Sequence, residues 1–135
     1  MNYWRYKDKE IKQLEDIPEG VFGFVYMLSK DSGEYYIGRK NLYSVRKLKP
    51  LKGYKRKRTV IKESNWLTYM SSNEQVNQWV DCKRIILYWA FNKKQLTYFE
   101  NKALYCYSVL EDKNSYNANI AGKFFKEEFM KVSSV

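Results

Sequence analysis

Two tyrosines combine a reactive side chain with a predicted common location. Tyr26 lies in the run VFGFVYMLS and Tyr36 in the run EYYIG, and the turn sequence KDSG separates them. Both runs are rich in residues that favour β-strands, so together they predict a hairpin. If the two side chains share a face, their hydroxyl groups converge on one surface. A phenol can orient or activate water, although its ordinary pKa of about 10 requires nearby cations for activation.

Alternation along the second strand separates its two tyrosines. Tyr35 and Ile37 should pack toward a core, whereas Tyr36 and Gly38 should face the other way. Gly38 then leaves open space beside the Tyr36 hydroxyl. The stretch YYIGRK is therefore interpreted as the floor of a binding site.

The segment 39–62 carries the whole positive excess of the chain. It holds 11 Lys and Arg residues and no acid, whereas the remainder has 14 cations and 15 acids. Clustered cations of this kind favour nucleic-acid binding over a solubilising loop, and the amphipathic pattern of a membrane-surface helix is missing. Besides Arg46, the candidate contacts are Arg39, Lys40, Lys47, Lys49, Lys52, Lys55, Arg56, Lys57, Arg58 and Lys62.

One carboxylate falls where a helix should be apolar. Leu96, Phe99 and Ala103 follow helical spacing in a segment predicted to be helical over 93–110, and Glu100 lies inside their stripe. A carboxylate on a buried face is unfavourable unless it is paired or binds a metal. The alternative is a glutamate at the edge of the stripe that reaches water or pairs with a lysine.

Taken together, these groups predict a site for a phosphodiester. Arginine would neutralise the phosphoryl group, and Glu100 would hold Mg²⁺ with water and substrate oxygens as further ligands. The chain has no histidine. Imidazole acid–base chemistry and His-ligated zinc are therefore excluded, and a tyrosine hydroxyl becomes the candidate group for activating water.

The elements that must position these residues indicate one α+β domain over residues 1–135. Strands are predicted at 21–29, 34–38 and 83–91, with a basic loop at about 39–62 that includes a possible short helix at NLYSVRKL. Further short helices are predicted within 1–20, from Ser64 or Asn65 through Tyr69, from Ser72 to about Val80, and in KFFKEEFMKV.

Composition limits the class of protein. No apolar run reaches the length of a membrane span, and the polar start MNYWRYKDKEIKQ differs from a secretory signal, so we expect a cytoplasmic protein. Cys82 and Cys106 have no metal-ligand spacing, and we expect two buried thiols.

These motifs resemble those of the GIY-YIG nuclease family, including small phage-encoded endonucleases. The tyrosine of FVY (24–26) lies ten residues before the tyrosine of YIG (36–38), with Phe24 in place of the glycine. Arg46 follows Tyr36 by ten residues, Glu100 lies on the helix after the third strand, and Asn117 follows later. The segment KRKRTVIKESNWLTYMSSNEQV is also similar to phage members. The resemblance spans roughly residues 22–119.

The resemblance implies a three-stranded antiparallel sheet flanked by helices, and a metal-dependent endonuclease. Tyr26 would be the general base, Tyr36 would orient water or metal ligands, and Arg46 would stabilise the pentacovalent phosphate. Glu100 would bind one Mg²⁺ or Mn²⁺, and Asn117 would support the site.

Two departures from the family pattern concern the cations. Several members carry a histidine shortly after the arginine, so Lys49, Lys52 or Tyr54 would replace it, or the role would be absent. Arg39 or Lys40 is an alternative phosphate contact to Arg46.

The predicted substrate is DNA, with RNA not excluded, and the protein is expected to act as a monomer or homodimer. We see no room after residue 120 for a separate DNA-binding domain, and phosphate contacts carry no sequence information, so low or modest specificity is expected. The alternatives are a non-catalytic nucleic-acid-binding protein and an inhibitor that binds an acidic protein partner.

Overall fold

The computed structural model describes residues 2–130. Within that range the chain forms nine strands, two α-helices and two short 3-10 helices at Leu14–Asp16 and Val76–Gln78. The strands are β1 (Trp4–Tyr6), β2 (Lys9–Ile11), β3 (Gly23–Ser29), β4 (Tyr35–Asn41), β5 (Tyr43–Leu48), β6 (Arg58–Glu63), β7 (Lys83–Ala90), β8 (Asn119–Ile120) and β9 (Phe124–Phe125). The helices are α1 (Lys93–Cys106) and α2 (Lys126–Met130).

The central sheet has five strands in the order β2-β1-β7-β3-β4, and β1 runs parallel to β7. The α+β class is confirmed, but the three-stranded, wholly antiparallel sheet is wrong. The two extra strands come from residues 1–20, for which a helix was predicted. Trp4 and Ile11 are paired across β1 and β2 and both are buried, so a strand pair places both of them in the core.

Both faces of the sheet are covered. Val25 and Ile37 pack in one core with Leu96 and Ala103 of α1. The other core contains Phe24, Tyr26 and Leu28, together with Trp66 and Val76 of the segment that connects β6 to β7. The predicted split of the two tyrosines is confirmed, because Tyr35 belongs to the first core and Tyr36 packs against the second.

Arg39 and Lys40 of the basic segment belong to β4, and most of the remainder forms an antiparallel ribbon of β5 and β6, not the predicted short helix and loop. Arg46 lies opposite Val60, and Val45 lies opposite Ile61. β-Branched residues such as these favour extended backbone, which explains why the segment pairs with itself. Residues 49–57 connect the two strands and are exposed.

The predicted helices between β6 and β7 are absent, apart from the 3-10 helix at Val76–Gln78. The Asn73 carboxamide oxygen accepts hydrogen bonds from the backbone N–H groups of Gln75 and Val76, which favours a turn over a regular helix. Helix α1 ends at Cys106, before the predicted 110, and Ser108 follows in a left-handed conformation at φ 50°. Residues 131 and 132 of the predicted terminal helix lie outside the described residues.

The two cysteines differ in exposure. Cys82 is buried as predicted, but Cys106 is exposed, so the prediction of a second buried thiol is wrong. Across residues 2–130, no helix combines the length and the apolar character that crossing a membrane requires.

Gly38 gives a direct test of how the two tyrosine motifs fit together. It lies opposite Tyr26, and a Cβ atom placed on Gly38 would come within 2.6 Å of the Tyr26 hydroxyl oxygen and 2.7 Å of its Cζ atom. The space beside Gly38 is therefore taken by the Tyr26 phenol, which corrects the expectation that it would lie open beside Tyr36.

We predict that Gly38→Ala lowers the free energy of unfolding by about 1–3 kcal/mol, because the buried phenol cannot move away without strain. Urea denaturation measures the change. In a Tyr26→Leu background the two phenol contacts are removed and the looser contact with Tyr36 Cε1, at 3.0 Å, remains, so the loss from Gly38→Ala should shrink to a fraction of that value. An equal loss in both backgrounds would show that the phenol is not the obstacle.

Candidate active site

The candidate site is built around β4, which forms one edge of the central sheet. Tyr36 projects toward the segment that connects β6 to β7, where its hydroxyl oxygen lies 3.2 Å from the Ser72 hydroxyl oxygen. Tyr26 on the neighbouring strand is almost fully buried, and the centroids of its ring and that of Tyr36 are 6.4 Å apart. The two motif tyrosines are therefore brought together, but only Tyr36 lines the cleft described next.

A cleft of about 420 Å³ opens beside this edge. It lies between β4, α1, the segment that connects β6 to β7, and residues in and around β8. Its lining includes Tyr36, Ser72, Asn73, Glu100, Tyr116 and Asn117. Among residues 2–130, Glu100 is the only acidic residue that lines the cleft. A metal ion or a phosphate bound there would therefore lie near a single carboxylate.

Glu100 is paired with Arg39 across the gap between α1 and β4. The Arg39 Nε atom lies 3.7 Å from a Glu100 carboxylate oxygen, and its Nη1 atom donates a 2.8 Å hydrogen bond to the Thr97 hydroxyl. The Glu100 side chain is 24% exposed and that of Arg39 is 42% exposed. The pair is thus accessible from solvent and holds a carboxylate and a guanidinium side by side.

Asn117 braces the strand that carries these residues. Its side-chain oxygen accepts a 2.9 Å hydrogen bond from the Ile37 N–H, and its side-chain nitrogen donates a 2.7 Å hydrogen bond to the Ile37 carbonyl. Both ends of the carboxamide are therefore engaged with backbone. This arrangement agrees with the supporting part predicted for Asn117 and leaves its catalytic assignment as a prediction.

The ionisable groups of the site are shifted mainly by burial. Desolvation raises the pKa of Glu100 above its ordinary value, and Arg39 opposes that shift. Burial also raises the pKa of Tyr36, and it raises that of Tyr26 well above the usual 10.0, with Tyr36 adding to the effect. At neutral pH both phenols are therefore protonated in this arrangement and can donate hydrogen bonds.

The cation of Lys40 lies in a different setting from the rest of the basic segment. Its ammonium nitrogen lies 4.0 Å from the centroid of the Tyr69 ring, and burial lowers its pKa. The Tyr69 ring in turn packs edge-on against Tyr26, with centroids 6.5 Å apart. Lys40 is therefore a structural neighbour of the tyrosine cluster as well as a candidate phosphate contact.

Arg46 lies outside the cleft, on β5. It is exposed, and within the part of the chain that the structure describes it is not among the residues that line the cleft. Arg39 is also not a lining residue, but it is paired with Glu100, which does line the cleft. The other predicted nucleic-acid contacts from Lys47 onward are exposed on the ribbon or its connecting loop: Lys47, Lys49, Lys52, Lys55, Arg56, Lys57, Arg58 and Lys62.

The donor set fits a hard divalent cation bound mainly by water and substrate. Glu100 supplies one partly buried carboxylate to the cleft, and no group of three or more His, Cys, Asp or Glu residues within 2–130 forms an all-protein metal cage. Mg²⁺ commonly keeps several waters and takes one or two protein carboxylates, so one glutamate is enough. Zinc, which prefers several nitrogen and sulfur ligands, does not fit this set.

Sequence reasoning missed several residues at the site. Thr97 positions Arg39, and it lies three residues before Glu100 on the same helix, a spacing that a helical projection could have shown. Ser72 and Asn73 reach the cleft from an irregular segment, and no pattern in the sequence indicates this.

Comparison with known proteins identifies the family of this chain. The family model described as "Putative endonuclease segE, GIY-YIG domain" matches residues 4–120. No curated protein matches the chain significantly, and neither does any solved structure. The match covers most of the chain, including both tyrosine motifs, Glu100 and Asn117. The chain therefore belongs to the GIY-YIG endonuclease family.

Proposed function

We propose that the chain is a metal-dependent endonuclease that hydrolyses phosphodiester bonds in DNA, with low or modest sequence specificity. The family assignment indicates a nuclease with a nucleic-acid substrate. The observation that carries the proposal is the Arg39–Glu100 pair at 3.7 Å, because Glu100 shares its cleft with the Tyr36 hydroxyl. The pair offers a cation for the phosphate and a carboxylate for a metal in the same place.

Each residue of the chain has a distinct task in this proposal. Arg39 neutralises the charge that develops on the phosphoryl oxygens. The Tyr36 hydroxyl, already hydrogen-bonded to Ser72, orients the attacking water. Tyr26 donates from its protonated phenol and becomes a base only if bound cations lower its pKa, because burial holds that pKa high. Asn117 keeps β4 in position through Ile37.

GIY-YIG nucleases generally depend on a divalent metal, and Glu100 is the residue proposed to hold Mg²⁺ or Mn²⁺. When bound, such an ion lowers the pKa of water and stabilises negative charge on the leaving oxygen. The partial burial of Glu100 excludes part of its own solvent shell and so strengthens its attraction for a cation in the cleft. The protein is proposed to act as a monomer or homodimer.

A second candidate function is binding of nucleic acid without cleavage. The raised pKa of the buried Tyr26 favours this alternative, since the tyrosine that the resemblance assigns as general base is not poised to accept a proton. The two functions make different predictions for Glu100: its carboxylate is needed for cutting in a nuclease, whereas a protein that only binds nucleic acid has no cutting for it to support.

We predict that Glu100→Gln reduces metal-dependent cutting of supercoiled plasmid by about a hundredfold or more, because it removes the carboxylate proposed to hold the metal. Binding of the same DNA in EDTA should be retained. The matched control is Glu111→Gln, which changes an exposed glutamate outside the cleft and should cut like the parent. Absence of cutting by the parent protein with Mg²⁺ and with Mn²⁺, on DNA and on RNA, would favour the binding-only alternative.

The burial of Glu100 also has a stability signature. Its folded-state pKa is raised from 4.5, so the native state binds this proton more tightly than the unfolded state does, and stability falls as pH rises through the interval between the two pKa values. We predict that Glu100→Gln raises the urea midpoint at pH 7, and that this gain shrinks as the pH falls through the raised folded-state pKa and is lost by about pH 4.5, where the unfolded chain also takes up the proton. A gain that is the same at pH 3.5 and pH 7 would contradict the assignment.

Kinetic measurements distinguish the proposed roles of Arg39 and Arg46. We predict that Arg39→Ala lowers the single-turnover rate of cutting by about a hundredfold, with little change in the affinity for DNA. Arg46→Ala, on the ribbon, should mainly weaken binding. If Arg46→Ala instead abolishes cutting by bound DNA, the original assignment of Arg46 as the catalytic arginine is right.

A further inference from the structure

The ribbon of β5 and β6 has both of its faces in solvent. The two strands pair only with each other and form a separate two-stranded sheet. All residues from 49 to 63 are exposed, including Val60, and so are residues 43–47. Six residues per strand give the ribbon a length of about 20 Å. An isolated two-stranded sheet is only marginally stable in water, because it buries little apolar surface. The exposure of this ribbon is therefore typical of a surface that contacts a binding partner.

The two faces of the ribbon differ in charge. The register places Ser44 opposite Lys62, Arg46 opposite Val60 and Leu48 opposite Arg58 on one face. That face, called the cationic face below, carries three cations and no acid. The other face pairs Tyr43 with Glu63, Val45 with Ile61 and Lys47 with Thr59, so it has one cation and one acid.

The ribbon is fixed to the strand that carries the candidate site. The Ser64 hydroxyl donates a 2.6 Å hydrogen bond to the Asn41 carbonyl, and the Ser64 N–H donates a 2.8 Å bond to the Leu42 carbonyl. The Glu63 carboxylate accepts a 2.8 Å hydrogen bond from the buried Trp66 indole. The one acid of the two strands is thus held at the base of the ribbon, and the Lys and Arg side chains of both strands are exposed.

We propose that the cationic face of this ribbon enters the major groove of B-form DNA, an inference that rests on DNA being the nucleic acid of the function proposed above. The major groove is about 12 Å wide and admits a two-stranded β-ribbon. Arg46, Arg58 and Lys62 then contact phosphates or guanine edges along the groove, while Leu48 and Val60 meet apolar base groups such as the thymine methyl. The chain runs from Arg39 to Arg46 in seven residues, so these two arginines lie within about 25 Å of each other.

The same geometry favours DNA over double-stranded RNA. The major groove of an A-form helix is deep and too narrow for side chains to read. A ribbon that depends on groove entry should therefore lose most of its contacts on an RNA duplex. A purely electrostatic loop would bind both duplexes to a similar extent, because both present a dense row of phosphates.

The test compares two lysines that lie on opposite faces of the ribbon. Affinity for a 25-base-pair DNA duplex is measured in EDTA over a range of salt concentrations, for the parent, Lys62→Gln and Lys47→Gln. We expect Lys62→Gln to lower affinity by up to about tenfold near 0.1 M salt and to reduce the salt slope by about 0.9, as for one lost phosphate contact. Lys47→Gln should have a clearly smaller effect. Arg58→Gln gives a second substitution on the cationic face, and circular dichroism checks that each variant is folded.

Two further measurements test the groove. An RNA duplex of the same sequence should bind at least about tenfold more weakly than DNA, because its major groove excludes the ribbon. Methyl green, which occupies the major groove, should compete with the protein, and netropsin, which occupies the minor groove, should not.

Equal losses for Lys62→Gln and Lys47→Gln would overturn the inference, as would equal binding of RNA or displacement by netropsin alone. These results are independent of cutting. Binding through the cationic face by a protein that cuts no substrate would refute the proposed nuclease function and leave the inference standing. A protein that cuts DNA, but whose affinity is unchanged by substitutions on the cationic face, would support the proposed nuclease function and refute the inference.

Discussion

The carboxamide of Asn117 is the contact on which the candidate site depends. An edge strand leaves alternate backbone groups without a partner strand, and Asn117 satisfies the N–H and the carbonyl of Ile37 with one side chain. The Tyr116 N–H also donates a hydrogen bond to the Tyr35 carbonyl, so a second backbone group on the same edge of β4 has a partner. Because these contacts close the edge as far as Ile37, the cleft forms beside that residue, with Tyr36 in its lining and Arg39 paired to Glu100 across from it.

The site retains groups that burial disfavours. Desolvation raises the pKa of Glu100 and of both motif tyrosines, so folding alone does not favour their charged forms. The Arg39 guanidinium compensates Glu100 only in part, since it is itself partly solvated. Perturbed ionisable groups of this kind cluster at functional sites more often than at structural ones, which agrees with the family assignment.

The residues predicted from the sequence were those whose local pattern was strong. Alternation assigned Tyr35 and Tyr36 to opposite faces correctly, and helical spacing placed Glu100 between buried residues of α1. The pairing of residues 1–20 with β7 depends on contacts between distant parts of the chain, so local propensity could not indicate it. The ribbon was missed because its charges were interpreted as a loop, although its β-branched residues favour a strand. The family pattern also assigned the arginine by spacing, whereas the pair with Glu100 is formed by Arg39, which follows directly after YIG.

The isolated ribbon also bears on how copies of this protein behave in solution. Each of its two strands has one side without a partner strand, and such open edges invite pairing between molecules. Mutual repulsion among the lysines and arginines of β5, β6 and their connecting loop opposes that pairing. The cations proposed to contact DNA thus also disfavour pairing between the ribbons of two molecules. Substitutions that remove these cations in order to weaken the proposed DNA contact would therefore also weaken the repulsion between ribbons.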